Sequence, residues 1–239
     1  YFIKGNIALT KVDEDYPDNK LSGAVFEVYS DTNGDGKLDK DDTLLGEMKE
    51  LDGGVYQMSE LRYGKYLVKE TKAPTGFVLD ENVYSVSVEE NGKTYTVENK
   101  AGVGFINAAQ KGSLKIVKTS SDGKVEGFSF RVTGVDYDQT FKTDKNGEIV
   151  IEGLRIGDYT VSEVSDKASA GYILPADKQA TVKVDATAIV QMHNEFRDTP
   201  KTGDDFNLGL WVSLAALSVV GAGVLGFVGY KNRKKKKED

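Results

Sequence analysis

The sequence predicts an all-β chain in which two tandem β-sandwich domains are followed by a C-terminal transmembrane helix. Three observations predict this organisation: short β-branched and aromatic runs broken by Gly, Asn and Asp, an internal repeat of those runs, and a long uncharged stretch near the C-terminus. The 239 residues leave room for about two small domains. One large enzyme core is therefore not expected.

Composition and charge narrow the classes of function. The formal net charge is −7, so nucleic acid is not an expected partner, because an acidic surface repels phosphate. The chain has no cysteine, which excludes disulfides and thiolate metal sites. Tyr1 is not an initiator Met and no signal peptide follows it, so we expect residues 1–4 to be the end of an upstream domain or a linker. A head that binds an unknown host or extracellular-matrix ligand would lie upstream.

The uncharged stretch has the length of a membrane span. Residues 208–230 carry no formal charge, and 23 residues at about 1.5 Å each are enough to cross a bilayer core as a helix. The basic segment 231–239 follows at once, and such a cluster predicts a cytoplasmic tail and an extracellular body. We therefore predict a transmembrane helix over residues 206–230.

The segment 198–205, just before this helix, resembles the LPXTG sorting signal of sortase substrates in Gram-positive bacteria. The matching residues are Thr199, Pro200, Lys201, Thr202 and Gly203, with Thr199 in place of the usual Leu. The resemblance implies that a sortase attacks the Thr202 carbonyl, releases Gly203 onward, and transfers Thr202 to a peptidoglycan precursor or a pilin lysine. The protein would then be anchored to the cell wall after a transient stay in the membrane. A turn-forming linker before a permanent membrane anchor is the alternative.

The region before the signal contains the internal repeat. The matching pairs of segments are 5–11 with 112–118, 61–70 with 154–163, and 105–107 with 192–194. The repeat predicts a first sandwich over residues 5–109 and a second over residues 110–197.

Strand alternation places the same three polar residue types toward the core of each repeat. Residues two apart in a strand share a face, so the lysine, the glutamate and the asparagine of each repeat follow apolar residues inward. The six residues are Lys11, Glu70, Asn107, Lys118, Glu163 and Asn194. Unpaired charges in a core are costly, so these groups must neutralise or consume one another. The alternative is that the lysines extend from edge strands to solvent and form ordinary ion pairs with the glutamates.

Both repeats resemble the B-type (Cna-B) repeats of collagen adhesins and the prealbumin-like, SpaA-type domains of Gram-positive pilins. The resemblance implies an intramolecular Lys–Asn isopeptide bond promoted by a buried acid. Lys11 and Lys118 would be nucleophiles, Glu70 and Glu163 acids, and Asn107 and Asn194 electrophiles. Burial favours a neutral amine and a protonated carboxyl, as that reaction needs. Each bond forms once, so the chain is not expected to be an enzyme.

An acidic loop distinguishes the first repeat, where eleven additional positions fall between Phe26 and Leu61. The loop has the spacing of an EF-hand, with Gly36 at the turn and Asp42 where a bidentate Glu is usual. The predicted Ca²⁺ ligands are Asp31, Asn33, Asp35, the Lys37 carbonyl, Asp39 and Asp42. A solvated Asp/Asn/Gly turn is the alternative. A dockerin would need two such loops with helices, and one loop between strand-like segments is visible.

These features predict a structural stalk that holds an adhesive or pilus-associated head away from the cell wall. The alternative is a tether for a surface enzyme whose catalytic domain lies upstream. Tyr16-Pro17 is followed by Asp18 and not by the lysine of the pilin polymerisation motif, which disfavours a shaft-forming pilin. His193 stands alone in the sequence, and we expect a packed strand residue there.

Overall fold

The structure is a computed structural model that describes residues 2–197, and these residues are organised almost entirely as β-strands. Within them the one helical element is the 3₁₀ turn Asp52–Gly54. No helix among residues 2–197 is long and apolar enough to cross a membrane. The predicted sorting motif, transmembrane helix and basic tail lie outside the described residues.

The first sandwich, here the first module, contains nine strands. They are β1 (Lys4–Asp13), β2 (Val25–Ser30), β3 (Thr43–Glu47), β4 (Lys49–Leu51), β5 (Val55–Arg62), β6 (Gly64–Lys72), β7 (Val83–Val88), β8 (Thr94–Thr96) and β9 (Phe105–Asn107). One sheet has the order β4-β5-β1-β8 with β9 also paired to β1, and the other has the order β3-β2-β6-β7. The first strand is therefore central in its sheet.

The second sandwich, here the second module, repeats this plan with eight strands. They are β10 (Lys111–Ser120), β11 (Ser129–Gly134), β12 (Tyr137–Lys142), β13 (Glu148–Arg155), β14 (Gly157–Glu163), β15 (Tyr172–Ile173), β16 (Lys178–Val182) and β17 (Thr187–Phe196). Its sheets have the orders β13-β10-β17-β15 and β12-β11-β14-β16. The prediction of two tandem β-sandwiches is thus confirmed.

The core of each module lies between its two sheets, and β1 shows how the sequence produces it. Burial alternates along this strand: Ile7, Leu9 and Lys11 point inward and are at most 1% exposed. Phe26 from the facing sheet packs edge-on against the rings of Tyr56 and Phe105, with centroids 5.2 and 4.9 Å away. The alternation thus sets the lysine in line with the apolar side chains of the core.

A glycine begins each repeat because the backbone of another segment passes close to it. A Cβ added at Gly112 would lie 2.1 Å from the Lys183 carbonyl oxygen, and one added at Gly5 would lie 2.8 Å from the Lys93 carbonyl oxygen. No larger residue fits at that distance without a shift of the backbone. These contacts hold the start of the first strand against the connection that leads to the last strand.

The last strand differs between the modules. In the second module β17 pairs with β10 in parallel without interruption, from Ser113 with Thr187 to Ser120 with Asn194. In the first module β8 and β9 share that role, and the segment 97–104 separates them. Lys11 lies opposite Phe105 just as Lys118 lies opposite Met192, so the interruption leaves the register at the lysine unchanged.

Candidate functional site

The first module brings Lys11, Glu70 and Asn107 together inside its core. Lys11 lies on β1 and Asn107 on the neighbouring parallel strand β9, while Glu70 reaches them from β6 in the facing sheet. The exposed fractions of these residues are 0%, 0% and 3%. This burial rules out the alternative in which Lys11 extends from an edge strand to solvent.

The three side chains contact one another directly. The Lys11 Nζ contacts Asn107 Oδ1 and donates to the Phe105 carbonyl oxygen at 3.0 Å. Asn107 Nδ2 donates to Glu70 Oε2 at 2.8 Å and to the Val78 carbonyl oxygen at 2.6 Å. Glu70 Oε1 lies 3.9 Å from the Lys11 Nζ. The amine is thus beside the amide it would attack, and the acid is beside the amide nitrogen that would leave.

Burial shifts both titratable groups toward their uncharged forms. Desolvation lowers the pKa of Lys11 to about 8, although the nearby carboxylates of Glu70, Asp80 and Asp13 oppose this shift. Desolvation also raises the pKa of Glu70, against hydrogen bonds from the Asp80 backbone and Asn107. A neutral amine and a protonated carboxyl are the forms that can attack an amide and transfer a proton.

Asp80 supports this site and was not among the residues predicted from the sequence. Its backbone N–H donates to Glu70 Oε2 at 2.8 Å. Its carboxylate accepts hydrogen bonds from Tyr84 at 2.7 Å and from Asn99 at 2.8 Å. Burial alone would raise the pKa of Asp80, but these hydrogen bonds hold it below its ordinary value. The signal in the sequence is weak, because Asp80 lies in the non-repetitive connection after β6.

The second module places Lys118, Glu163 and Asn194 on the matching strands β10, β14 and β17. Lys118 is 1% exposed and Asn194 is fully buried, whereas Glu163 is partly exposed. Asn194 Nδ2 donates to Glu163 Oε1 at 2.7 Å. Burial lowers the pKa of Lys118 and raises that of Glu163, as in the first module.

The lysine of the second module has a different orientation. The Lys118 Nζ contacts the Thr119 carbonyl oxygen and lies 4.1 Å from the centroid of the Phe128 ring. Among the described side chains, Asn194 Oδ1 has no hydrogen-bond partner, so the amine does not reach the amide. The residues predicted for the second site are therefore near one another, but amine and amide are not in contact.

All buried side-chain oxygens and nitrogens without a hydrogen bond within residues 2–197 belong to these two groups of residues. They are Glu70 Oε1, Glu163 Oε2 and Asn194 Oδ1. Each such atom costs roughly 1–3 kcal/mol when it is buried without a partner. The two sites therefore retain unfavourable polar burial that the rest of the described fold avoids.

The acidic loop connects β2 to β3, where the second module has the two-residue connection 135–136. Asp31 accepts hydrogen bonds from the backbone N–H groups of Gly34 at 2.6 Å and Gly36 at 3.1 Å. Asp42 accepts from Thr32 at 3.1 Å and Asp39 at 2.9 Å. In residues 2–197, no three Asp, Glu or His side chains lie close enough together to hold a metal ion. Calcium binding by this loop stays a prediction.

His193 lies on β17, as expected, but its side chain is exposed and not packed. Its Nδ1 is 2.8 Å from Thr119 Oγ1 and its Nε2 is 3.1 Å from Glu195 Oε1. Because Asn194 points into the core, the alternation of the strand turns His193 outward. The expectation of a packed histidine was wrong for this reason.

Comparison with known proteins identifies the fold. The family described as SpaA, prealbumin-like fold domain, matches residues 5–101 and 112–196, one match for each module. A search of curated proteins found no significant match. Among solved structures, the TIE protein of Bacillus anthracis is 24% identical with a TM-score of 0.60; the alignment covers 81% of this chain and 34% of that protein. The chain thus spans about a third of the TIE protein.

Two pilins also match, at lower structural similarity. The minor pilin of Streptococcus agalactiae is 17% identical with a TM-score of 0.36, and the alignment covers 85% of this chain and all of that one. The shaft pilin SpaA of Lactobacillus rhamnosus GG is 15% identical with a TM-score of 0.36, and the alignment covers 81% of this chain and 98% of that one.

Proposed function

Because this chain belongs to the family of SpaA prealbumin-like fold domains, we propose that it is the stalk of a cell-wall-anchored surface protein, either an adhesin or a pilus-associated subunit. Two β-modules in tandem provide length. A stalk must resist tension, and a chain without cysteine needs a covalent staple other than a disulfide. Isopeptide bonds within the modules would supply it.

One observation supports this proposal above all: the Lys11 amine contacts the Asn107 amide next to Glu70, in a buried site. Lys11 Nζ attacks Asn107 Cγ, a new C–N bond forms, and the bond from Cγ to Nδ2 breaks. Glu70 takes a proton from the attacking amine and gives one to Nδ2, which leaves as ammonia. The reaction needs no oxidant and no cofactor. Lys118, Glu163 and Asn194 would react in the same way after Lys118 turns toward Asn194.

The position of the bond explains its mechanical use. Lys11 and Asn107 lie on the first and last strands of the first module, and Lys118 and Asn194 lie on the first and last strands of the second. A bond between them lets tension pass from strand to strand through covalent bonds. The hydrogen bonds of the interior then carry little of the load.

Intact-mass measurement tests the cross-links. We expect a mass below that of the sequence by two ammonia molecules, with Glu70→Ala and Glu163→Ala each restoring one. Tryptic mapping would assign the joined peptides to Lys11 with Asn107 and to Lys118 with Asn194. The full uncondensed mass in well-folded protein would reject the proposal and leave both groups as buried polar clusters without a covalent bond.

Attachment to the cell wall is a separate proposal that depends on the sequence of residues 199–203. We propose that a sortase cleaves after Thr202, so that the mature protein retains Thr202 and loses Gly203 onward. Peptide mapping of protein released from cell walls should end at Thr202. Peptides containing Trp211 in that material would contradict the proposal.

The acidic loop is proposed to bind Ca²⁺ and to stabilise the first module. Its support is the EF-hand spacing and the confinement of five carboxylate or amide side chains to one hydrogen-bonded loop. The ligands would be the side chains of Asp31, Asn33, Asp35, Asp39 and Asp42 with the Lys37 carbonyl. Binding requires those side chains to turn from backbone N–H groups toward a shared ion.

A further inference from the structure

The junction between the two modules is built from an arginine of the second module and an acidic turn of the first. Arg155 Nη1 lies 2.8 Å from Asp13 Oδ2, and its Nη2 donates to Asp13 Oδ1 at 2.9 Å and to Asp15 Oδ2 at 3.1 Å. Lys111 Nζ also lies 3.1 Å from Asp15 Oδ2. The Arg155 guanidinium is 5.0 Å from the ring centroid of Tyr16.

This contact is well buried and therefore more than a loose surface pair. Asp13 is 2% exposed and the Arg155 side chain 14% exposed. Burial alone would raise the pKa of Asp13, yet hydrogen bonds from Arg155 and the local backbone hold it below its ordinary value. A bidentate arginine–carboxylate pair fixes orientation as well as distance. The junction thus orients one module on the other.

The arrangement around Arg155 occurs a second time, around Arg62 at the other end of the first module. Arg62 pairs with Lys4 across β5 and β1, just as Arg155 pairs with Lys111 across β13 and β10. The Arg62 carbonyl accepts from Tyr66 Oη at 2.6 Å, and the Arg155 carbonyl accepts from Tyr159 Oη at 2.8 Å.

The backbone next to these arginines matches as well. Tyr63 N–H donates to the Ile3 carbonyl at 3.0 Å, and Ile156 N–H donates to the Gln110 carbonyl at 3.1 Å. Arg62 and Lys4 therefore stand where Arg155 and Lys111 stand. We call the surface formed by Phe2, Ile3, Lys4, Arg62 and Tyr63 the free receiving surface.

The free receiving surface has no partner within residues 2–197. Arg62 forms no ion pair with any described residue, and its guanidinium lies 4.9 Å from the ring centroid of Phe2. Phe2 and Tyr63 are 73% and 65% exposed. Lys4 is paired with Glu60 at 2.7 Å, but both side chains are exposed, and such a pair contributes little. Arg155 also lies beside an aromatic ring, that of Tyr16, which belongs to the module docked on it.

We infer that the free receiving surface docks the acidic turn of another prealbumin-like module, with Arg62 binding a carboxylate that occupies the position of Asp13. The partner is a module whose first strand ends in acidic residues, as β1 does. The charges are complementary, and the geometry is one that this chain already uses at its internal junction. This inference is independent of the isopeptide bonds and goes beyond the stalk proposal.

A second copy of this chain is a poorer occupant, because the corresponding turn of the second module has Ser120 in place of Asp13, and its aspartate, Asp122, is already hydrogen-bonded within the module. Ser120 lies opposite Asn194 as Asp13 lies opposite Asn107, so a hydroxyl replaces the carboxylate that Arg155 binds. Ser120 Oγ donates to Asp122 Oδ1 at 2.7 Å, and Asp122 Oδ2 accepts from Tyr172 Oη at 2.6 Å. The free receiving surface therefore fits a module whose turn resembles that of the first module.

A chain with three modules tests this inference. A second copy of residues 1–108 is placed directly before Phe2 of the chain, so that Phe2 takes the place of Ala109 and the connection keeps its natural length. The chain has no cysteine of its own, so spin labels attach only to cysteines introduced at chosen positions. One pair, Lys49→Cys and Thr140→Cys, reports on the natural junction. Lys49→Cys of the added copy with Thr43→Cys of the original first module reports on the new one.

We expect narrow distance distributions at both junctions. Arg62→Ala in the original first module should broaden the distribution at the new junction alone, and Arg155→Ala should broaden that at the natural junction alone. Glu60→Gly, which frees Lys4 and matches Gly153 of the second module, should leave the new junction narrow. Thermal unfolding and intact mass confirm that each chain is folded.

Three results would overturn the inference. One is a broad distribution at the new junction with Arg62 present. Another is an unchanged distance distribution at the natural junction in Arg155→Ala, because Arg155 would then not be the residue that orients the two modules. The third is concentration-dependent dimerisation of the original two-module chain that Arg62→Ala abolishes, which would assign the surface to self-association.

Discussion

The two groups of lysine, glutamate and asparagine lie on matching strands but differ in how their polar atoms are paired. In the first module Asn107 Nδ2 donates to both Glu70 and the Val78 carbonyl, and Lys11 contacts Asn107. In the second module Asn194 Nδ2 donates to Glu163 alone, and Lys118 contacts the Thr119 carbonyl. The same three residue types on the same strands do not by themselves produce the same arrangement.

Part of this difference comes from a single position in the connection that follows β6 in the first module and β14 in the second. Phe77 bridges to Ala109 as Tyr172 pairs with Phe196, so Asp80 and Pro175 occupy matching positions three residues later. The Asp80 N–H donates to Glu70 Oε2 at 2.8 Å, whereas a proline has no N–H to give. Each glutamate keeps one oxygen without a partner, but Glu70 Oε2 accepts two hydrogen bonds, from the Asp80 N–H and Asn107, whereas Glu163 Oε1 accepts one, from Asn194. A backbone donor in the connection after β6 thus holds the Glu70 carboxyl in a way that the second module does not reproduce.

The largest expected effect separates the two cross-links. Glu70→Ala should abolish the bond between Lys11 and Asn107 and lower the free energy of unfolding of the first module by about 4–5 kcal/mol, the value for a disulfide that closes a loop of similar length. The matched variant Glu163→Ala should cost slightly less, because Lys118 and Asn194 close a shorter loop than Lys11 and Asn107. Calorimetry with intact mass measures both, and a larger loss in Glu163→Ala would contradict this order.

Calcium should stabilise the first module and not the second, because the acidic loop is in the first module alone. At free Ca²⁺ about 100-fold above the dissociation constant, the first module should gain about 2.7 kcal/mol. The transition of the second module should not move. Calorimetry in excess calcium and in chelator measures the difference, with Asp31→Asn as the control variant. Identical melting in both conditions would leave the loop as a solvated turn.

Substitutions at positions 80 and 175 should change the rates at which the two cross-links form, in opposite directions. Pro175→Ala supplies an N–H near Glu163 and should speed formation of the second cross-link by about tenfold, which corresponds to about 1.4 kcal/mol. Asp80→Pro should slow the first cross-link, and Asp80→Ala, which keeps the N–H, separates this effect from loss of the carboxylate. Time-resolved intact mass during refolding of unreacted chains gives the rates. Unchanged rates would dismiss the backbone donor as the cause.

The pH dependence of the first cross-link should be smaller but diagnostic. The neutral fraction of Lys11 increases as the pH rises through about 8, whereas the protonated fraction of Glu70 decreases above its raised pKa. The rate should therefore rise with pH, pass through a maximum and fall again. Refolding of unreacted chains over a range of pH, followed by mass, measures this profile. A rate that is flat with pH would contradict proton transfer by this pair.

Much of the fold and part of the candidate site were predictable from the sequence. The two sandwiches follow from the repeat, and the inward direction of Lys11, Lys118, Asn107 and Asn194 follows from strand alternation. The acidic loop was located correctly because eleven additional positions separate Phe26 from Leu61. The interruption between β8 and β9 was not predicted, because neither composition nor alternation marks a break in a short strand.

Local features were readable from the amino-acid sequence: which residues form strands, which face each side chain takes, and which residues recur in both halves. The contacts of the Asp80 N–H with Glu70 and of Arg155 with Asp13 join distant segments, and only the tertiary structure revealed them. Alternation depends on the geometry of one strand and is visible in a few consecutive residues. Hydrogen bonds between segments depend on the path of the connecting loops, and no spacing in the sequence encodes that path.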